Sequence, residues 1–296
     1  MSKNTTRKFF TKENLKTLFT GYNVIKAIVF VIFIAYAVSL LVPFLWMVLN
    51  MFKDTGEFYD GNVFGFPSVW KFSNIIDTLK FEIGGQSILS MFFMSIITTA
   101  LGTFIHVMLS VFAAYAVAKY DFPGKKLILG AAIFTMIVPI VGTLPAQVRM
   151  MDTFNMNDSL IGILFLYSGC LGFNFILLHS SFETISWGYA EAAEIDGANR
   201  FQILFKVMIP IAKGSIISVT ILQIIALWND YSIPFLFMHS NQTLAVGLQS
   251  FQAQFLGKQQ PLVFTAIIIS LLPILVLFAI FEKTIMENTV AGGLKG

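Results

Sequence analysis

The chain has 296 residues, 56% of them hydrophobic and only 12% charged, with a formal net charge of +3. Soluble globular domains carry about 25% charged residues, so the composition excludes one and points to a polytopic membrane protein. The positive excess is small and no basic cluster is interleaved with aromatics, which argues against a nucleic-acid partner.

Residues 1–23 set Lys3, Arg7, Lys8, Lys12 and Lys16 among Phe9, Phe10, Leu15, Leu18 and Phe19. That mixture predicts a basic amphipathic segment lying on anionic membrane lipids. The apolar run 24–50 follows, long enough for a hydrocarbon core of about 30 Å and too long for a signal-peptide core, so it reads as a retained span kinked at Pro43. A polar connection, residues 51–86, leads to further hydrophobic runs at about 87–118, 127–147, 159–180, 214–237 and 262–282. The expected fold is all-α with six transmembrane helices over 24–285, a loop at 181–213 between spans 4 and 5, and a tail at 286–296.

Basic residues set the orientation. With the N-terminus in the cytoplasm, only Lys53, Lys71, Lys80, Arg149 and Lys258 of the 19 basic residues fall outside. Both termini and the 181–213 loop are therefore expected to be cytoplasmic. Cys170 is the single cysteine and has no disulfide partner within the chain.

The 181–213 loop is the longest polar, patterned stretch between the hydrophobic runs. Tyr189, Ala192, Ala193 and Asp196 fall at i, i+3, i+4 and i+7, with Glu191 and Glu194 beside them. Gly197 offers a left-handed turn, and a second helix starting near Asn199 repeats the spacing with Phe201, Leu204, Phe205 and Met208 up to Pro210. Pattern alone leaves two readings of this hairpin: packing on the chain's own membrane helices, or insertion into a groove of another protein. A cytoplasmic position, where soluble partners are available, favours the second.

Several chemistries lack their residues. No G-x-x-x-x-G-K-[ST] stretch exists to cradle phosphates, so ATP-driven work requires another chain. His106, His179 and His239 show no metal-ligand spacing, and no G-x-S-x-G elbow is present. The chain is thus expected to be neither an enzyme nor a holder of a cofactor or metal. His106, mid-span, reads as an interhelical hydrogen-bond partner. The spans carry neutral polarity instead: Tyr167, Ser168 and Asn174 in the fourth, Gln223, Trp228, Asn229, Asp230 and Tyr231 in the fifth. Such groups suit a path for a hydroxyl-rich solute, and equally suit interhelical glue and an interfacial aromatic belt. A stand-alone secondary carrier, or a membrane anchor without transport activity, are the competing classes.

Glu191, Ala192, Ala193, three residues, Gly197, nine residues, then Val207, Ile209 and Pro210 resemble the "EAA" loop of ATP-binding-cassette importer permeases. Val207 and Ile209 stand where that pattern has Ile and Leu, and Ile185-Ser186-Trp187-Gly188-Tyr189 departs from its Ile-Pro turn; Ser186 is expected to cap the helix. The turn Tyr120–Gly124, the run Trp228–Asp230, a strand-like stretch Thr243–Leu248 and the terminus Gly292–Gly296 resemble the carbohydrate branch, most of all the maltose-type second permease subunit. The resemblance covers the chain from about residue 67 onward. It implies a type I importer permease fold, a second homologous permease, a cytoplasmic ATPase dimer and an extracellular solute-binding protein. The hairpin would then be a coupling helix seated on an ATPase, through Tyr189, Glu191, Ala192, Ala193, Glu194, Asp196, Gly197, Phe201, Phe205 and Pro210. By the same resemblance the outer loop 239–261, with Gln242, Gly247 and Gln249, would reach the binding protein.

Overall fold

The computed structural model describes residues 21–137 and 142–293, with side chains from residue 24 to residue 283. The predicted lipid-surface segment lies almost wholly outside these residues, and so does the end of the predicted tail.

Helix α1, Gly21–Asn50, carries Pro43 within it and exposes almost every side chain from Val24 to Leu45. A helix that is apolar all round has only lipid to face. The 51–86 connection is more ordered than its polarity suggests. It holds α2 (Thr55–Asp60), α3 (Ser73–Lys80) and a two-stranded hairpin, β1 (Glu82–Ile83) with β2 (Gln86–Ser87). Gly84 and Gly85 turn this hairpin at φ of 59° and 82°, the positive values that a two-residue turn of matching twist demands. This small sheet is the exception to the all-α expectation among the described residues.

Helix α4, Ile88–Lys119, is the centre of the molecule. Ser87 caps it by accepting from the Ser90 amide at 3.2 Å. Its buried face is rich in small and hydroxylated residues, Ser95, Thr98, Thr99, Gly102, Thr103, Ser110 and Ala114, which let neighbouring helices come close. At Gly102 an added Cβ would lie 2.8 Å from Leu227 and 3.0 Å from Tyr167, so two further helices cross α4 there with no room for a side chain.

The remaining elements are α5 (Lys125–Ile137), α6 (Thr143–Thr153), α7 (Leu160–Tyr167), α8 (Phe173–Thr184), α9 (Gly188–Ile195), α10 (Arg200–Ile203), α11 (Ile209–Ile211), α12 (Lys213–Trp228), α13 (Ser232–Phe237), α14 (Leu244–Phe255) and α15 (Gln260–Gly293). Among the described residues three helices are long and apolar enough to cross a membrane: Val24–Asn50, Ile88–Lys119 and Gln260–Lys283. Two of the other predicted spans are divided, and the run 127–147 passes through residues outside the described ones. The run 159–180 breaks between α7 and α8, where Gly172 has φ 144°. The run 214–237 stops at Trp228, and the Asp230 carboxylate accepts from the amides of Ser232 and Ile233 to start α13. The stretch 243–248 is helix rather than strand: Leu244, Gly247, Phe251 and Phe255 are buried at helical spacing.

Connections meet at two ends. At one, Asp158 Oδ1 accepts from the amides of His239 and Ser240 at 2.9 and 2.8 Å, and Gln86 bonds the Ser240 carbonyl and the Gln242 amide. At the other, Lys119 Nζ donates to the Ile185 carbonyl and Tyr120 meets Trp187. The bundle between them has α4 at its middle, packed on α7, α8, α12 and α14.

Candidate functional site

The α9–α10 hairpin stands on a buried base. Ala190, Ile203, Leu204 and Met208 join one apolar cluster with Val111, Ala114 and Tyr115 of α4 and Phe175, Leu178 and Phe182 of α8. Ser186 does not occupy the N-cap position of α9, which Trp187 holds without a side-chain cap; the Ser186 hydroxyl accepts from the Gly188 amide at 3.3 Å from outside the helix. Trp187 itself is packed edge-on against Tyr120 at 5.7 Å, and the Arg200 guanidinium sits over the same Tyr120 ring.

Helix α9 ends in two backbone bonds, Ala198 N to Ala193 O at 2.9 Å and Gly197 N to Glu194 O at 3.0 Å. This pair is the Schellman closure, and it requires the positive φ of 85° that Gly197 supplies. Two residues on, Asn199 and Gln202 exchange side-chain and backbone bonds at 2.9 Å in a capping box that opens α10. The second helix therefore begins where the sequence places it.

Its apolar stripe does not survive as one face. Leu204–Met208 winds as a π turn, so Leu204 and Met208 go into the core while Phe201 is 75% exposed and Phe205 46%. Pro210 is the physical reason: it has no amide for the carbonyl one turn back and its ring would crowd that carbonyl, so the turn before it widens. The chain then bends by 80° between Arg200–Ile211 and Lys213–Trp228.

Of the residues predicted to couple, Tyr189, Glu191, Ala192, Glu194, Asp196, Gly197, Phe201, Phe205 and Pro210 are exposed, whereas Ala193 is half-buried against the base. Three contributors were not singled out for their roles. Ile195 is 87% exposed between two acids, Ala190 is fully buried, and Arg200 tethers the turn to Tyr120. An isoleucine flanked by Glu194 and Asp196 was the available signal for the first.

The predicted path residues separate into pairs. Asn174 on α8 donates its side-chain amide to Gln223 Oε1 on α12 at 2.9 Å and lies 3.0 Å from His106 Nε2 on α4. Tyr167 on α7 donates its hydroxyl to Asp230 at 2.8 Å. Trp228 is buried elsewhere, with its indole donating to the Ser270 carbonyl and its ring against Phe92. Asn229 is exposed and donates only to Ile225 of its own helix, and Tyr231 stacks on Phe235. In the stretch 239–261 Gln249 is exposed and Gln242 half-buried, but Gly247 is buried: a Cβ there would meet the Met91 sulfur at 2.1 Å. Gly247 is thus a close-packing position against α4 rather than an outward contact. Nearby, Asp158 is held below the usual carboxylate range by the Ser240 hydroxyl and amide and by the His239 amide.

Comparison with known proteins fits this geometry. The chain is 26% identical over 271 residues to the diacetylchitobiose uptake system permease protein NgcG of Streptomyces coelicolor, covering 90% of this chain and 88% of that one. It is 29% identical over 273 residues to the trehalose/maltose transport system permease protein MalG of Thermococcus litoralis, covering 89% and 94%. Its fold matches, with TM-score 0.75 and 25% identity over 93% of this chain and 99% of the other, a chain in the crystal structure of a bacterial ABC transporter involved in import of the acidic polysaccharide alginate. Residues 87–284 match the family model described as the inner membrane component of binding-protein-dependent transport systems, and the chain belongs to that family.

Proposed function

We propose that this chain is the membrane permease subunit of an ATP-binding-cassette importer for a carbohydrate of oligosaccharide size, delivered by an extracellular binding protein. The observation that carries the reading is the α9–α10 hairpin. Its base is part of the bundle core, and its far side presents Tyr189, Glu191, Ala192, Glu194, Ile195 and Phe201, all exposed among the described residues. An acid-edged apolar knob on a rigid base suits a groove lined by basic and apolar side chains. In this reading the groove belongs to a separate ATPase, which hydrolyses the ATP. The saccharide cargoes in the names of the relatives support the substrate class.

The proposal includes six crossings, one of them the run 127–147 that carries α5, with α7–α8 and α12–α13 as broken ones. The grouping of connections at two ends supports it, because each crossing joins one end to the other. Both termini and the hairpin, 181–213, are cytoplasmic; 24–285 form the permease domain, flanked by segments 1–23 and 286–296. A second homologous permease completes the path, with Tyr167, Asn174, Gln223, Asn229, Asp230 and Tyr231 as the polar groups this half contributes. Gln242 and Gln249 lie where a binding protein would dock. Closure of the ATPase pair would then move each hairpin as a rigid body and rock the two halves between inward-facing and outward-facing forms.

Purification from the native membrane in mild detergent is expected to bring down an ATPase and a second permease with this chain, and a sugar screen of the associated binding protein to return a saccharide. Recovery of a lone chain that transports in proteoliposomes would overturn the reading.

A further inference from the structure

The connection after α1 folds back beside the helix it leaves. Trp46 lies one turn inside the end of α1 at Asn50, and its indole nitrogen donates to the Val63 carbonyl at 3.1 Å. Its ring is 5.1 Å from Phe264, which is itself one turn inside α15, and 6.4 Å from Phe64. The Val63 carbonyl and the Phe64 ring therefore lie against a side chain of the last turn of α1, a helix whose Leu41, Val42 and Leu45 are more than half exposed.

Backbone at that depth needs its polar groups satisfied by the protein, because lipid offers no partners. Lys53 meets the need: it is completely buried, and its ammonium group donates to the carbonyls of Asn62 at 2.8 Å and Val63 at 3.3 Å. The Asn62 side-chain oxygen in turn accepts from the amides of Phe64 and Gly65 at 3.0 and 3.1 Å. With these carbonyls and amides bonded, this short loop presents Phe64, 85% exposed, and Phe66, 76% exposed.

We infer that residues 61–66 form an interfacial anchor that inserts Phe64 and Phe66 into the lipid leaflet at the Asn50 end of α1, the outer leaflet in the orientation proposed above. The partner is bilayer lipid at the boundary of headgroups and acyl chains, continuous with the lipid-facing surface of α1. Lys53 and Trp46 are the residues that make the re-entry possible. The inference rests on α1 crossing the bilayer, not on which solute is carried or on how the ATPase docks.

The test places a nitroxide label at Phe64→Cys and at Phe66→Cys in a Cys170→Ser background, in the assembled transporter in lipid nanodiscs. Asp77→Cys, exposed on α3, is the aqueous reference. Collision with molecular oxygen should be high at both positions, and collision with a water-soluble nickel chelate should fall severalfold below the Asp77 reference. Nickel collision equal to the reference would place the loop in water and overturn the inference. Exclusion of both reagents with strong immobilisation of the label would place it under a protein partner, and overturns it equally.

Discussion

The Trp187 indole meets the Tyr120 ring edge-on at 5.7 Å, with an interplanar angle of 77°. Tyr120 follows the last residue of α4, so this contact ties the α9–α10 hairpin directly to the central helix. Arg200 lies 5.7 Å from the same ring, and the Tyr120 hydroxyl is 3.3 Å from that of Tyr115. Tyr120 is thus held on three sides, beside the apolar base that the hairpin shares with α4.

Trp187→Ala should therefore loosen the hairpin without disturbing the membrane bundle. The Trp187–Tyr120 pair that it removes is worth about 0.5–1.5 kcal/mol. ATP hydrolysis in proteoliposomes is expected to continue while binding-protein-dependent uptake falls severalfold. Trp187→Phe, which keeps an edge-to-face ring, should restore most of the uptake. Uptake unchanged in the alanine variant would remove the tether role.

Gly197 gives a sharper case, because an added Cβ there would meet no atom within 4 Å. Any cost of substitution comes from its φ of 85° alone. A left-handed residue costs roughly 1–2 kcal/mol in a non-glycine and more in a β-branched one, while asparagine tolerates it. Gly197→Val is expected to insert and assemble yet to uncouple hydrolysis from uptake, and Gly197→Asn to retain most activity. Equal activity in the two variants would show that the angle between the helices is not what matters.

These two positions also mark how far the sequence could be read. Gly197, Asn199 and the hydrophobic runs act locally, through backbone geometry, capping and burial, so their pattern was legible in the order of residues. Trp187 was legible only as a departure, since its value depends on Tyr120, far away in sequence. The stripe Phe201, Leu204, Phe205 and Met208 was misjudged because a π turn, induced from downstream by Pro210, changes the period on which the stripe relies. Gly247 was misjudged for a related reason: a glycine's use as a close-packing site is set by the neighbour, here Met91, and no local pattern records it.

Among the polar residues of the bundle, Asn174 and Asn229 should behave differently. Asn174 links α8 to α12 and to His106 of α4, so Asn174→Leu strands two partners in an apolar setting. Interhelical bonds in membranes are worth about 0.6 kcal/mol each and up to about 1.7. Asn174→Leu is expected to lower the melting temperature of the assembled transporter by a few degrees. Asn229→Leu should leave it unchanged, since Asn229 is exposed and bonds only within its helix, but should reduce uptake if it faces the solute. Intact uptake in a stable Asn229→Leu variant would remove that residue from the path.

The crossing of α14 on α4 is tested at Gly247. Overpacking a tight contact typically costs about 1–3 kcal/mol. Gly247→Ala should destabilise the complex in a thermal shift assay, and Met91→Ala in the same chain should recover part of the loss by opening the space the new methyl needs. Additive losses in the double variant would mean that the two residues do not share the contact.

Asp158 supplies a pH dependence whose sign follows from its partners. Its carboxylate accepts from the His239 and Ser240 amides, which joins the connection before α7 to the connection before α14. Hydrogen bonds to the charged form, led by those from Ser240, lower its pKa from the ordinary 3.8. A group with a depressed folded pKa contributes fully above its unfolded value, and the contribution is lost as pH falls through the folded one. Amide exchange at His239 and Ser240, corrected for intrinsic rate, should therefore be level from about pH 7 to about pH 5 and accelerate only below the ordinary carboxylate range. Asp158→Asn keeps the shape but has no charge to lose. It should exchange faster at these two amides throughout and show no step on acidification. A step that persists in the asparagine variant would assign the titration to another group and leave the Asp158 staple without an electrostatic role.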